Sequence, residues 1–241
     1  MADVRLSQKI KRELRALGSP ERAEKAKRFF KTDPGDYAEG DVFLGLKVGE
    51  MRLIAKSYAM AKLADIVELL TSKMHEDRQT ALLLLATLFK KSAPAGQKEI
   101  FDFYLHHARF VNNWDLVDCS AEIIVGTYLL DKPKKILRQL AASSVLWERR
   151  IAIVATLAFI KNGDFKPTLA LSRQLFHDPE DLMHKAVGWM LREVGKRDKH
   201  LLRTFLGQFG SYMSRTTLRY AIEHFSPLER RRYLSLKKTV K

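Results

Sequence analysis

Apolar residues recur along the chain at intervals of three and four, the spacing of a helix that buries one face. Ile54, Tyr58, Ala61, Leu63, Ile66, Val67, Leu69 and Leu70 follow this pattern, as do Ile123, Ile124, Tyr128 and Leu129. It returns in Ile151, Val154, Leu157 and Phe159, and again in Trp189, Met190 and Val194. Strand-like alternation is absent. Short breakers punctuate the pattern: Gly18-Ser19-Pro20, Asp33-Pro34-Gly35, Pro94-Ala95-Gly96, Asp131-Lys132-Pro133, Asn162-Gly163-Asp164, Asp178-Pro179 and Ser226-Pro227. Several set an N-cap oxygen just before a proline, whose missing N–H costs nothing in the first turn of a helix. About a dozen helices of roughly 10–18 residues, joined by tight turns, are predicted over nearly the whole sequence.

The helices repeat. Four polar, charged starts run into alanine-centred apolar stretches, at His75–Leu83, Asp115–Ile124, Trp147–Val154 and Leu182–Trp189. Their alanines, Ala81, Ala121, Ala152 and Ala186, lie 40, 31 and 34 residues apart. A helix pair recurring at about that period cannot bury its apolar stripe alone, so neighbouring pairs stack. The expected fold is all-α, a HEAT-like or armadillo-type α-solenoid of stacked antiparallel helix pairs. The second helices would line a concave basic face. No linker interrupts the pattern, and a single domain over residues 1–241 is expected.

Composition narrows the function. The chain of 241 residues carries 43 Lys+Arg against 28 Asp+Glu, a net charge of +15. Solubility alone asks for much less, and such an excess favours a polyanion as partner. The basic residues are spread along the chain, thickening at Arg230-Arg231-Arg232 and Lys237-Lys238. One cysteine, Cys119, excludes a disulfide framework and any multi-cysteine zinc site. No apolar run reaches the ~18 residues of a membrane span. The longest, Ala81–Phe89, ends in Lys90-Lys91. The start, Met1–Ser7, lacks the apolar core of a secretion signal. A soluble, cytoplasmic monomer is expected.

The three tryptophans, Trp114, Trp147 and Trp189, fall at equivalent levels of successive repeats, each with a charge within one helical turn. Asp118 follows Trp114 at i+4, Arg150 follows Trp147 at i+3, and Arg192 follows Trp189 at i+3, all same-face spacings. Taken singly, each tryptophan reads as a core residue, and Trp147, at a helix start, as packing. Taken together, they would bring aromatic faces, one carboxylate and two guanidinium groups to a common groove.

Asn113-Trp114-Asp115-Leu116-Val117-Asp118, Trp147-Glu148-Arg149-Arg150 and Lys185-Ala186-Val187-Gly188-Trp189-Met190-Leu191-Arg192-Glu193 resemble three signature segments of AlkD-type DNA alkylation-repair glycosylases. Phe43-Leu44-Gly45-Leu46-Lys47 resembles that family's Phe-Leu-Gly turn. The resemblance implies a HEAT-like superhelix that acts on duplex DNA containing alkylated purines, without a cofactor or metal. It implies that Asp118 is the catalytic carboxylate, and that Trp114 and Trp189 bracket the damaged nucleotide. By the same resemblance, Arg150 and Arg192 bind DNA near the lesion and along the backbone. The family's early aromatic, often tyrosine, is Phe29 here, which keeps the ring and loses the hydroxyl.

The chemistry stands without the family. A purine alkylated on a ring nitrogen is cationic, so its glycosidic bond is already weak. Breaking that bond gives an oxocarbenium-like sugar. A nearby carboxylate stabilises that charge as it develops, and indole faces attract it by cation–π contact. Other residues suggest less. Asp115 reads as a helix-start acid, Cys119 as a small packed side chain, and His106, His107 and His184 have no partner motif. The glycines near position 40 lack the ending of a phosphate loop. Arg230–Arg232 is either a DNA contact or a solvated face. The competing expectation is a noncatalytic helical-repeat scaffold for nucleic acid or protein.

Overall fold

The computed structural model describes residues 5–237, so Met1–Val4 and Lys238, the end of the basic pair, lie outside the described residues. The fold is an all-α helical repeat. Among the described residues, β pairing is limited to one isolated bridge between Val42 and Met74. No described helix is long and apolar enough to cross a membrane. Packing divides the chain after Ser120 into two compact units.

The first unit holds α1 (Leu6–Ala16), α2 (Pro20–Phe30), α3 (Val48–Ser57), α4 (Leu63–Leu70), α5 (His75–Lys91), α6 (Pro94–His106) and α7 (Trp114–Asp118). Helix α5 is its axis, packed by α3, α4, α6 and α7. It therefore buries residues around its whole circumference, from His75 to Phe89, as a helix at the centre of a core must. Its first turns are polar and buried as well: His75, Glu76, Asp77, Arg78 and Gln79 are all under 5 % exposed. Polar groups so placed have to find partners inside the protein.

The second unit holds a π-helical turn (Glu122–Gly126), then α8 (Lys135–Ala141), α9 (Leu146–Lys161), α10 (Lys166–Gln174), α11 (Asp181–Arg197), α12 (Lys199–Phe209), α13 (Arg215–Ala221) and α14 (Pro227–Leu234). Helix α9 is buried without a break from Arg150 to Ile160, and it packs on α8, α10, α11 and the π turn. Helix α11 packs on α9, α12 and α13. The described α-helices run from 5 to 17 residues, shorter at the low end than the spacing predicts. Helix α7 is the shortest, and at its end the Ser120 hydroxyl donates to Leu116 O at 2.6 Å. Such back-bonding competes with the helix ladder.

The alanines that mark the repeat are buried, at 0 % for Ala81, Ala121 and Ala152 and 1 % for Ala186. Tight helix approaches, however, also fall on glycine. A Cβ on Gly188 of α11 would lie 2.5 Å from Tyr220 Cβ and 2.7 Å from Thr217 O, on α13. The invading atom would meet backbone, which cannot swing aside. Gly188→Ala is expected to destabilise the protein by about 1–3 kcal/mol, as overpacking does. A denaturant midpoint equal to wild type would contradict that packing.

Candidate active site

Helix α2 begins at Ser19-Pro20, where the Ser19 hydroxyl accepts from Arg22 N at 3.4 Å. It ends at Lys31, the one non-glycine residue with positive φ (53°) among those described. That left-handed turn is usually taken by glycine. It halts the helix just after Phe29 and Phe30, and the chain then loops through residues 31–42. Gly35 and Gly40 supply two more positive-φ turns there.

The loop is tied down by Asp41. Its carboxylate accepts from Arg78 Nη2 at 2.6 Å, His75 Nδ1 at 3.2 Å and Asn113 Nδ2 at 3.3 Å. Burial pushes the Asp41 carboxyl up, but His75 and Arg78 outweigh it and hold it below its ordinary value. On the other side of the His75 ring, Nε2 reaches Asp115 Oδ2 at 2.8 Å, and Gln79 Nε2 donates to the same oxygen at 3.0 Å. The His75 ring thus bridges the loop to α7. Asp115, expected only to favour the helix start, instead anchors α7 to α5.

Both His75 nitrogens face carboxylates, and a carboxylate can only accept, so each nitrogen carries a proton. Burial pulls the imidazolium down, yet the bonds to Asp115 and Asp41 overcome it and lift the pKa from 6.5 to about 9. Arg78, which also donates to Ser72 O and Lys73 O, opposes that rise. A folded pKa above the unfolded one means the folded state holds the extra proton. The stabilisation is complete below pH 6.5 and fades as pH climbs through about 9. The melting temperature should therefore fall between pH 6.5 and 9 by more in wild type than in His75→Leu. Parallel curves for the two proteins would show that His75 is not the ionising group.

On this support sits an aromatic cluster. Trp114 opens α7, with Asn113 Oδ1 accepting from its backbone N–H at 2.8 Å. Phe30 stacks on the Trp114 ring at 5.3 Å and 24°, and Phe29 meets it edge-on at 5.8 Å and 69°. Phe30 also stacks on Phe43, which stacks on His75. The indole N–H donates to the Tyr37 hydroxyl at 3.3 Å. Trp114 is thus fixed on one side by rings and at its edge by a phenol. Phe29 keeps 66 % of its surface exposed. Helical spacing brought Trp114 forward and the family resemblance Phe29; Phe30, Tyr37, Asp41 and His75 were missed.

Asp118 closes α7 one turn beyond Trp114 and is half-buried rather than sealed in the core. Its charge is felt by Tyr104 and Cys119, whose protonated forms are favoured chiefly by burial, with Asp118 adding to both. Cys119 donates to Leu116 O at 3.3 Å, and burial pushes its thiol up, which disfavours the reactive thiolate.

In the second unit, Trp147 is half-buried at the start of α9, and Trp189 is half-buried at mid-α11. Arg192 pairs with Glu223 and lies 3.8 Å from Glu193. The expectation of a DNA-contacting Arg150 meets a side chain only 5 % exposed, with Nη1 donating to Leu182 O at 2.8 Å. Neighbouring Arg149 grips Asp178 with two bonds, at 2.6 and 3.2 Å. Arg230, Arg231 and Arg232 are exposed on α14, which buries none of its residues. Among the described residues, no group of three or more His, Cys, Asp or Glu is placed to hold a metal ion.

Comparison with known proteins agrees with this architecture. The family model described as "DNA alkylation repair enzyme" matches residues 10–225. A solved structure titled a predicted DNA alkylation repair enzyme from Enterococcus faecalis superposes with a TM-score of 0.68 at 16 % identity. The match covers 87 % of this chain and 97 % of that one. No curated protein matches the chain.

Proposed function

The chain belongs to the family of DNA alkylation repair enzymes, and from that premise we propose that it is a monofunctional glycosylase excising cationic alkylpurines from duplex DNA. The observation that carries this reading is the spacing of Trp114 and Asp118 on α7, with the indole fixed by Phe30 and Tyr37 and the carboxylate half-buried.

A 3-methyladenine or 7-methylguanine leaves as a neutral base, so its departure needs little help. What needs stabilising is the sugar, which becomes cationic as the bond breaks. Asp118 serves there, because its attraction grows with the charge and is weak in the ground state. The same carboxylate can orient or deprotonate the attacking water. The Trp114 face adds about 0.5–2 kcal/mol toward a cation, and the exposed Phe29 ring next to it offers an apolar contact. From the second unit, Trp189 is assigned to the damaged nucleotide and Arg192 to the DNA backbone by the family resemblance. A phosphate reaching Arg192 meets a guanidinium already paired through Nη1 with Glu223. Arg150, engaged as it is, acts in this reading by holding α9 to Leu182 rather than by reaching solvent. The spread of +15 charge supplies nonspecific affinity for the duplex.

The test is incubation of the protein with methylated duplex DNA, followed by chromatography of the freed bases. Release of 3-methyladenine and 7-methylguanine with strands left intact is expected. Duplex binding with no released base would leave only a scaffold.

A further inference from the structure

We propose that the second unit carries a separate nucleotide-binding cleft between the ends of α10 and α12, which takes a nucleobase with its 5′-phosphate. The cleft is open to solvent and spans about 550 Å³, within the range of sites for small ligands. It contains none of the residues assigned to base excision. Its apolar part is aromatic: Phe176, 8 % exposed, lies against Phe205 and Phe209, with ring centroids 6.0 and 6.2 Å away. Phe209 and Tyr212 line the same space.

Three of the polar side chains that line it, Arg173, His177 and Tyr212, have no hydrogen-bonding or ion-pair protein partner among the described residues. Arg173 rests over the Phe209 ring at 4.6 Å, and among the described residues its guanidinium has neither a carboxylate nor a hydrogen-bonding partner. The His177 ring and the Tyr212 hydroxyl likewise have no partner among the described residues, and both line the cleft. Gln174 is held in place by donating to Arg138 O at 3.2 Å. No acidic residue lines the cleft.

This combination selects its ligand. An aromatic wall accepts a flat ring by stacking, whatever the base. A guanidinium held on a ring face remains free to take a phosphate through charge-assisted bonds. An aliphatic acid would leave the rings unused, and a neutral aromatic would leave Arg173 unpaired. A nucleoside 5′-phosphate satisfies both. It can arrive free or as one unit of a single strand, since both present the same base and phosphate.

Titration of the full-length protein with AMP, adenosine, inorganic phosphate and a four-nucleotide oligodeoxyadenylate, followed by calorimetry, tests the cleft. Saturable AMP binding is expected, with adenosine and phosphate each weaker by about tenfold or more. Arg173→Gln, at an exposed position, should weaken AMP by about tenfold while leaving the melting temperature unchanged. Phe209→Leu should weaken AMP and adenosine alike, and Trp114→Phe should bind AMP as wild type does. Tighter binding of the oligonucleotide than of AMP would identify a strand as the source; the reverse would identify the free nucleotide. The proposal is overturned if AMP shows no saturable binding, if phosphate alone binds as well as AMP, or if Arg173→Gln binds AMP as tightly as wild type.

Discussion

Asp118→Asn should lower single-turnover release of 7-methylguanine by about 10²–10³, with duplex affinity kept or slightly raised. Asparagine keeps the shape of the side chain and removes its charge. In the bound ground state that charge faces a polyanion and contributes nothing favourable to binding. In the transition state it faces a sugar cation, so the loss appears in the chemical step alone. The half-buried setting of Asp118 beside Trp114 raises the effect, because fewer waters screen the pair. Separate measurements of binding and of single-turnover rate check both parts. An unchanged rate would remove Asp118 from the chemistry. A large loss of affinity would make it a structural or DNA-holding residue.

Glu76→Gln should cost about 2–4 kcal/mol, because two or more backbone donors lose a charged acceptor in a buried place. Glu76 is 2 % exposed and takes the N–H groups of Leu44, Gly45 and Leu46 at 2.8, 2.7 and 3.2 Å. A glutamine amide offers one oxygen, and its NH2 turns a donor toward a donor. The turn involved is tight. Gly45 has φ +82°, and a Cβ there would press on Ala23 N at 2.5 Å and on Ser19 O. Leu44 O in turn accepts Ser19 N at 2.8 Å, which seats the start of α2. Since α2 ends in Phe29 and Phe30, loosening Glu76 also loosens the rings against Trp114. The melting temperature should drop by roughly 5–15 °C, and a melt superimposable on wild type would contradict the cage.

Helices and the α7 pair were legible because both follow a short period. Trp114 and Asp118 are four residues apart, so a shared face needs only helix geometry. The alanine spacing identified the repeating helices for the same reason. Partners joined across the fold left no periodic signal. Tyr37 meets Trp114 over 77 residues, and Asp41 meets His75 over 34 and Asn113 over 72. One trace was present: six consecutive polar residues, His75–Thr80, running directly into a largely apolar helix. Such a stretch has no dry face to turn inward, and burying it requires a polar network. Arg150 shows where spacing stops being informative. Its i+3 spacing from Trp147 suggested a groove-facing charge, but α9 is buried all round from Arg150 onward, so spacing alone could not assign that side chain to solvent.

A secondary deuterium isotope effect at C1′ of a 7-methylguanine nucleotide, measured in a single turnover, probes the emerging sugar cation itself. If the carboxylate stabilises an oxocarbenium-like state, C1′ flattens toward planarity as the base departs and the bending of its C–H bond loosens. The light nucleotide should then react faster than the heavy one. Equal rates for the two isotopologues, with base release rate-limiting, would contradict a sugar cation beside Asp118.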